Sequence, residues 1–243
     1  MTTIQVHNLV ASSYELVAQE YYDSDRHPTC ANFREASNLL LRKCHDIICV
    51  SHAICEVGPG RSLIAEYLST ITDSLDGLVL VDESPTMLGY SEEWGKAGAI
   101  LNRGSAYSLP VRSNAFDLVV SCLGDPYNTS AFWAEVQRVL AHGGKVLFTT
   151  PSFEWAQSFR IGPDSCDLES ADFELSDGRH VLLPSFIRPT ADQALMIQAA
   201  GLILEQVDHI CVRDLSSHKL SPKLLLNRET NANVVTGYVA TKP

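Results

Sequence analysis

The spacing of apolar residues changes along the chain and divides it. Across 1–52 they recur every three to four positions, as in Y-E-L-V-A-Q-E-Y-Y and N-F-R-E-A-S-N-L-L-L-R-K-C-H-D-I-I, which predicts helices with one buried face. From 53 to 151 five short strand-like runs alternate with helical stretches, the pattern of a doubly wound α/β sheet. Residues 152–188 break that alternation. They are rich in Asp, Ser, Pro and aromatics, and S-D-G-R at 176–179 reads as a hairpin turn. Next, T-A-D-Q-A-L-M-I-Q-A-A-G predicts a helix with Thr190 as N-cap and Gly201 as its stop. The runs L-I-L-E-Q-V-D-H-I and N-V-V-T-G-Y-V-A-T then close the chain as two strands. The expectation is one domain over 1–243: an N-terminal helical lid (1–52), a core (53–151), an inserted cap (152–188) and a helix with a strand pair (189–243).

Within the core, A-I-C-E-V-G-P-G-R-S at 53–62 joins an apolar run ending in an acid to a glycine turn and a helix start. Such a strand–turn–helix aims backbone N–H groups at a ligand. Gly58 and Gly60 have no β-carbon, so the backbone is free to take positive φ and a ligand can lie against it. Glu56 stands where it accepts hydrogen bonds from a ligand's ammonium or hydroxyls. A second run, L-V-L-V-D, ends in Asp82 some twenty residues on, the place of an acid that takes both hydroxyls of a ribose. The dinucleotide pattern G-x-G-x-x-G fails, because the third residue after Gly60 is Leu63.

Three further blocks follow in order: A-I-L-N-R-G-S-A-Y-S-L-P (99–110), N-A-F-D-L-V-V-S-C (114–122) and F-W-A-E-V-Q-R-V-L-A-H-G-G-K-V-L-F-T-T-P (132–151). With them the chain resembles the class I S-adenosylmethionine-dependent methyltransferases, most of all the small-molecule branch of ubiquinone- and biotin-pathway type enzymes. The resemblance is strong over 50–151 and looser over 186–243. The family's E/D-x-G-x-G-x-G reads Glu56-Val57-Gly58-Pro59-Gly60-Arg61-Ser62, with Ser62 for the last glycine, a residue suited to a helix start. Its G-D-A-x-x-L-P reads Gly104-Ser105-Ala106-Tyr107-Ser108-Leu109-Pro110, so Ser105 replaces the acid facing adenine. The resemblance implies a Rossmann-like, seven-stranded sheet with an antiparallel last strand. It implies S-adenosylmethionine as cofactor, S-adenosylhomocysteine as product, and a cofactor site of Glu56, Gly58, Pro59, Gly60, Asp82, Glu83, Met87, Ser105, Ala106 and Cys122.

Composition narrows the acceptor. The net charge is −11, with only 18 Lys and Arg and no basic cluster. Phosphate backbones are bound chiefly through cations, so nucleic acid is disfavoured and a small-molecule acceptor preferred. A protein or RNA methyltransferase, another use of the same cofactor, or a non-catalytic binding protein are the alternatives. No apolar run reaches the ~20 residues of a membrane span, and M-T-T-I-Q-V-H-N is not a signal peptide. Seven scattered cysteines without C-x-x-C fit reduced thiols. A cytoplasmic protein without a metal site, monomeric or homodimeric, is expected.

In open α/β sheets ligands sit beyond the carboxyl ends of the strands, and three segments reach that edge. Residues 21–34 offer Tyr22, His27, Asn32 and Arg34 as acceptor contacts, unless their aromatics are simply lid core. After the fourth strand, Cys122-Leu123-Gly124-Asp125-Pro126-Tyr127-Asn128 distantly resembles the N-P-P-Y of amino-group methyltransferases, with Asp first and one proline missing; a plain turn is the alternative. The 152–188 insertion supplies aromatics together with Arg160 and His180. His27, Asp125 and Tyr127 are the catalytic candidates, and the two lids are expected to close over a pocket lined by Tyr22, His27, Asn32 and Tyr127.

Overall fold

A computed structural model describes residues 13–160, 169–216, 219–225 and 231–243, with the backbone alone at 159 and 160. Its centre is a seven-stranded sheet in the order β3-β2-β1-β4-β5-β9-β8. The strands are β1 (Ile54–Val57), β2 (Leu78–Asp82), β3 (Ile100–Arg103), β4 (Phe116–Ser121), β5 (Leu140–Pro151), β8 (Ile203–Cys211) and β9 (Asn233–Thr241). The first five pair in parallel, and β9 lies antiparallel between β5 and β8. This is the Rossmann-like methyltransferase fold, with the expected antiparallel last strand.

Alternation along the strands fills both faces. Leu118 and Val120 of β4 face one apolar cluster with Leu41 and Ile64, from α1 (Pro28–Lys43) and α3 (Leu63–Leu68). Val119 faces the other cluster, with Phe132, Trp133 and Ile197 from α6 (Ser130–Val139) and α8 (Thr190–Ala199). A central parallel strand buried on both sides reads as a continuous apolar run, which is why F-D-L-V-V-S was legible. The short helices α2 (His45–Cys49), α4 (Pro85–Gly89) and α5 (Glu92–Gly95) complete the core.

Residues 152–188 form an addition to the sheet. Helix α7 (Phe153–Arg160) follows β5, and β6 (Ser170–Glu174) with β7 (His180–Pro184) makes a separate hairpin. Its turn holds S-D-G-R as expected: Gly178 takes φ +81°, and the Leu175 N–H donates to the Arg179 carbonyl at 2.8 Å. Phe173, Leu175 and Leu183 pack against Val17, so the cap rests on the N-terminal segment. One boundary needs correction. Thr190 is the first residue of α8 and Pro189 occupies the N-cap position. Helix α9 (Pro222–Leu225) lies beside α1.

Candidate active site

The turn after β1 is locked by its own hydrogen bonds. Gly58 and Gly60 adopt φ +65° and +47°. The Gly60 N–H donates to Asp82 Oδ2 at 3.0 Å, and the Ser84 N–H to Asp82 Oδ1 at 3.0 Å, tying the ends of β1 and β2 together. Ser62 caps α3 by accepting the Ala65 N–H at 2.9 Å and donates its hydroxyl to Glu56 Oε2. Ser91 braces the turn from beneath: it accepts the Ser62 N–H and donates to the Gly60 carbonyl. Glu56 is almost wholly buried. Burial pushes its carboxyl up to about 7, and that of Asp82 to about 6. Two carboxyls this desolvated gain most from a ligand that brings them donors or positive charge.

Two tyrosines lie on the glycines. The Tyr127 hydroxyl donates to the Val57 carbonyl at 2.7 Å and stands 3.0 Å from Ser121 Oγ. A β-carbon on Gly58 would sit 2.3 Å from that hydroxyl. Tyr22 accepts the Arg61 N–H at 2.6 Å, and a β-carbon on Gly60 would sit 2.1 Å from its oxygen. The Tyr22 ring lies between the Arg34 and Arg61 guanidiniums, 5.1 and 4.9 Å from its centroid. These side chains leave about 70 Å³ free above the turn. The glycines make a cradle that any side chain would fill, and a carboxyl flanks it on either side; this fits an adenosyl amino acid.

Glu56, Gly58, Pro59, Gly60, Asp82, Glu83, Met87 and Cys122 all line this cleft. Arg34, Tyr22 and Tyr127, expected at the acceptor, line it too. Ser105 and Ala106 do not. The Ser105 hydroxyl accepts the Tyr107 N–H at 3.2 Å and Ala106 packs in the core, so the loop uses both for its own turn.

A second cavity of about 930 Å³ adjoins the cleft across Tyr14, Tyr21 and Leu123, which line both. Asp125 and His27 line this cavity. Asp125 opens a 3₁₀ turn (Asp125–Tyr127), its backbone carbonyl held by the Phe186 N–H at 2.8 Å and its Oδ2 by the Ser185 hydroxyl. His27 stacks on Phe173 at 4.0 Å, with Nε2 3.8 Å from Glu20; burial lowers its pKa more than Glu20 raises it. Two other acceptor candidates belong elsewhere. Asn32 is fully buried, donating to the Lys219 carbonyl and accepting the Ser221 N–H, because a buried amide needs partners for both ends. His180 is exposed and pairs with Asp172 at 2.8 Å on the outside of the hairpin. The side chain of Arg160 lies outside the described residues.

Sequence reasoning missed Tyr14, Tyr21 and Ser185. The tyrosines sat in a run with helical spacing, indistinguishable from a core-facing stripe. Nothing near Ser185 in sequence links it to Asp125.

Residues 55–148 match the methyltransferase-domain family. A comparison with curated proteins gives no match. Among solved structures, DhpI in complex with SAM and HEP superposes with a TM-score of 0.66 at 19% identity, each chain covered in full. A SAM-dependent methyltransferase from Methanosarcina mazei gives 0.61 at 14% identity, over 82% of this chain and 96% of that one. A chain of the complex between the Haloferax volcanii Trm112 methyltransferase activator and its methyltransferase partner gives 0.64 at 14%, over 96% and 97%. The chain thus carries a methyltransferase domain over residues 55–148, on the fold of S-adenosylmethionine-dependent methyltransferases, and S-adenosylmethionine is the cofactor this supports. Among the described residues no helix is long and apolar enough to cross a membrane.

Proposed function

We propose that this enzyme methylates an oxygen or nitrogen of a small molecule held in the larger cavity. The observation that carries the reading is the shared wall: a cavity of about 930 Å³ meets the cofactor cleft at Tyr14, Tyr21 and Leu123. Pockets of several hundred Å³ with apolar walls and few polar groups suit small ligands.

When bound, the cofactor supplies a methyl group already activated on a sulfonium. The protein's part is alignment, which is worth up to ~7–11 kcal/mol. Asp82 takes the ribose hydroxyls, Glu56 the ammonium, and the Gly58–Gly60 backbone the face of the ligand. Arg34, in reach of the same cleft, takes the carboxylate once Tyr22 gives way. Asp125, fixed by Ser185 and the Phe186 N–H, receives the proton an acceptor must lose. His27, kept neutral by burial, is the second group able to take it.

The test has two parts. Calorimetry with S-adenosylhomocysteine on the wild type and Asp82→Ala should show a loss of roughly 1–3 kcal/mol. Isotope from labelled S-adenosylmethionine, incubated with the enzyme in a cell extract, should appear in the acid-soluble fraction. Label recovered in precipitated protein or RNA would overturn the small-molecule reading.

A further inference from the structure

Resting on that reading, we propose that the cavity takes an arylalkylamine, with the amine nitrogen at Asp125 and the aryl group among Phe33, Trp155 and Phe173. The deep end of the cavity combines a fixed carboxylate with aromatic walls. Asp125 is 7% exposed, and its position is set by the Ser185 hydroxyl and the Phe186 N–H. Beside it, Tyr14 and Tyr21 contact each other at 5.7 Å between centroids and both line the cavity. Burial, then neighbours that include Asp125, hold both phenols well above their ordinary range, so they stay neutral. The Tyr21 ring in turn stacks on Phe173, 6.1 Å away and nearly parallel. A carboxylate ringed by aromatic faces favours an ammonium twice over, through the charge and through the ring quadrupoles.

An anion gains little there. Asp172 and Glu174 line the same cavity as Asp125. The cations on its wall, Arg26 and Lys223, stand at exposed positions, and Arg26 already lies 3.7 Å from Glu20. Asp172 and Glu174 are exposed as these cations are, so the buried charged group on the cavity wall is Asp125, set beside aromatic rings. Trp155 and Phe33, edge to face at 4.7 Å, give a flat ring a place to pack.

The step balances without another reactant. The bound ammonium gives one proton to the Asp125 carboxylate, and the freed lone pair forms the new C–N bond. The C–S bond breaks as that bond forms, its electrons remaining on sulfur as S-adenosylhomocysteine. The product leaves as an N-methylammonium, and Asp125 returns its proton to water.

The test is calorimetric titration of the whole enzyme, empty and loaded with S-adenosylhomocysteine, with three probes of similar shape: 2-phenylethylamine, 2-phenylethanol and 3-phenylpropanoate. Tryptophan fluorescence, to which Trp155 on the cavity wall contributes, serves as a second readout. The amine should bind at least about tenfold tighter than either of the others. Asp125→Asn, which keeps an acceptor for Ser185, should erase that preference, with S-adenosylhomocysteine affinity confirming the fold. Equal or tighter binding of the alcohol or the carboxylate would overturn the proposal. So would binding of none of the three, or a preference that survives in Asp125→Asn. If the amine preference holds while neither cofactor form binds, it is the methyltransferase reading that fails, and the two failures are thereby distinguished.

Discussion

The cofactor cleft and the acceptor cavity share a wall but are built differently. The glycine turn that floors the cleft is fixed within residues 56–91 by backbone N–H groups, two carboxyls and two serines, while Tyr22, Arg34 and Tyr127 reach it from outside. The acceptor cavity draws on stretches near 14–33, 123–125, 151–155, 170–185 and 221–223, and its walls are side chains. The contrast teaches where each kind of chemistry is stored. Recognition of an invariant ligand sits in local backbone geometry, and recognition of a variable one in long-range packing.

The sharpest way to break this contrast is to fill the backbone cradle. Gly60→Ala puts a β-carbon 2.1 Å from the Tyr22 hydroxyl at φ +47°, where a side chain costs of order 1–2 kcal/mol in strain alone. Cofactor affinity measured by calorimetry should fall by about 100-fold or more, ~3 kcal/mol. Gly178→Ala is the control. That glycine also has positive φ but nothing within 4 Å of its β-carbon, so binding should be unchanged.

Next in size is Asn32→Ala. It leaves the Ser221 N–H and the Lys219 carbonyl without their buried partner. Urea unfolding should show a loss of about 2–3 kcal/mol, with cofactor affinity retained. A large loss of affinity with intact stability would instead place Asn32 in the site.

A smaller effect is expected at Glu56, and its sign depends on pH. The folded-state pKa, about 7, lies above the ordinary carboxylate value, so folding holds a proton that the unfolded chain releases. That contribution to stability is complete below the ordinary value and is lost as pH rises through about 7. Glu56→Gln has no charge to bury. The empty variant should match the wild type near pH 5 and exceed it by roughly 1–3 kcal/mol at pH 8, while binding S-adenosylmethionine more weakly. Equal stability at both pH values would show that Glu56 is ionised without penalty. His27→Phe, which keeps the stack on Phe173, should change cofactor affinity and stability by less than about 0.5 kcal/mol. An effect confined to acceptor turnover would sharpen the boundary between the two regions.

How far the sequence could be read follows the same division. The strand runs, Ser62 as a cap, Asp82 at its strand end and the 176–179 turn were all legible because each is a local device. Arg34 and Tyr127, expected at the acceptor, line the cofactor cleft, because helix α1 and the 3₁₀ turn after β4 carry them toward the glycines. Asn32 looked like a ligand for a polar acceptor; its true partners lie nearly two hundred residues away in α9's approach. Thr190 fitted a cap by residue type, but Pro189 takes the cap position and Thr190 begins the helix. Ser105 aligned with a known loop, and the turn it makes with Tyr107 depends on backbone geometry that alignment does not reveal.

Tyr21 and Tyr22 are adjacent along the chain, one on the acceptor side and one on the cofactor side. Tyr22 rests on Gly60 and Arg61, while Tyr21 stacks against Phe173 of the cap. Any ligand lying on Gly60 must displace Tyr22, and one peptide bond carries that displacement to the wall of the other cavity. The two occupancies are thus thermodynamically linked: whatever the first ligand does to the affinity of the second, the second does equally to the first. Part of the cofactor's intrinsic affinity goes into evicting a tyrosine, and the same movement changes the shape of the chamber the acceptor enters.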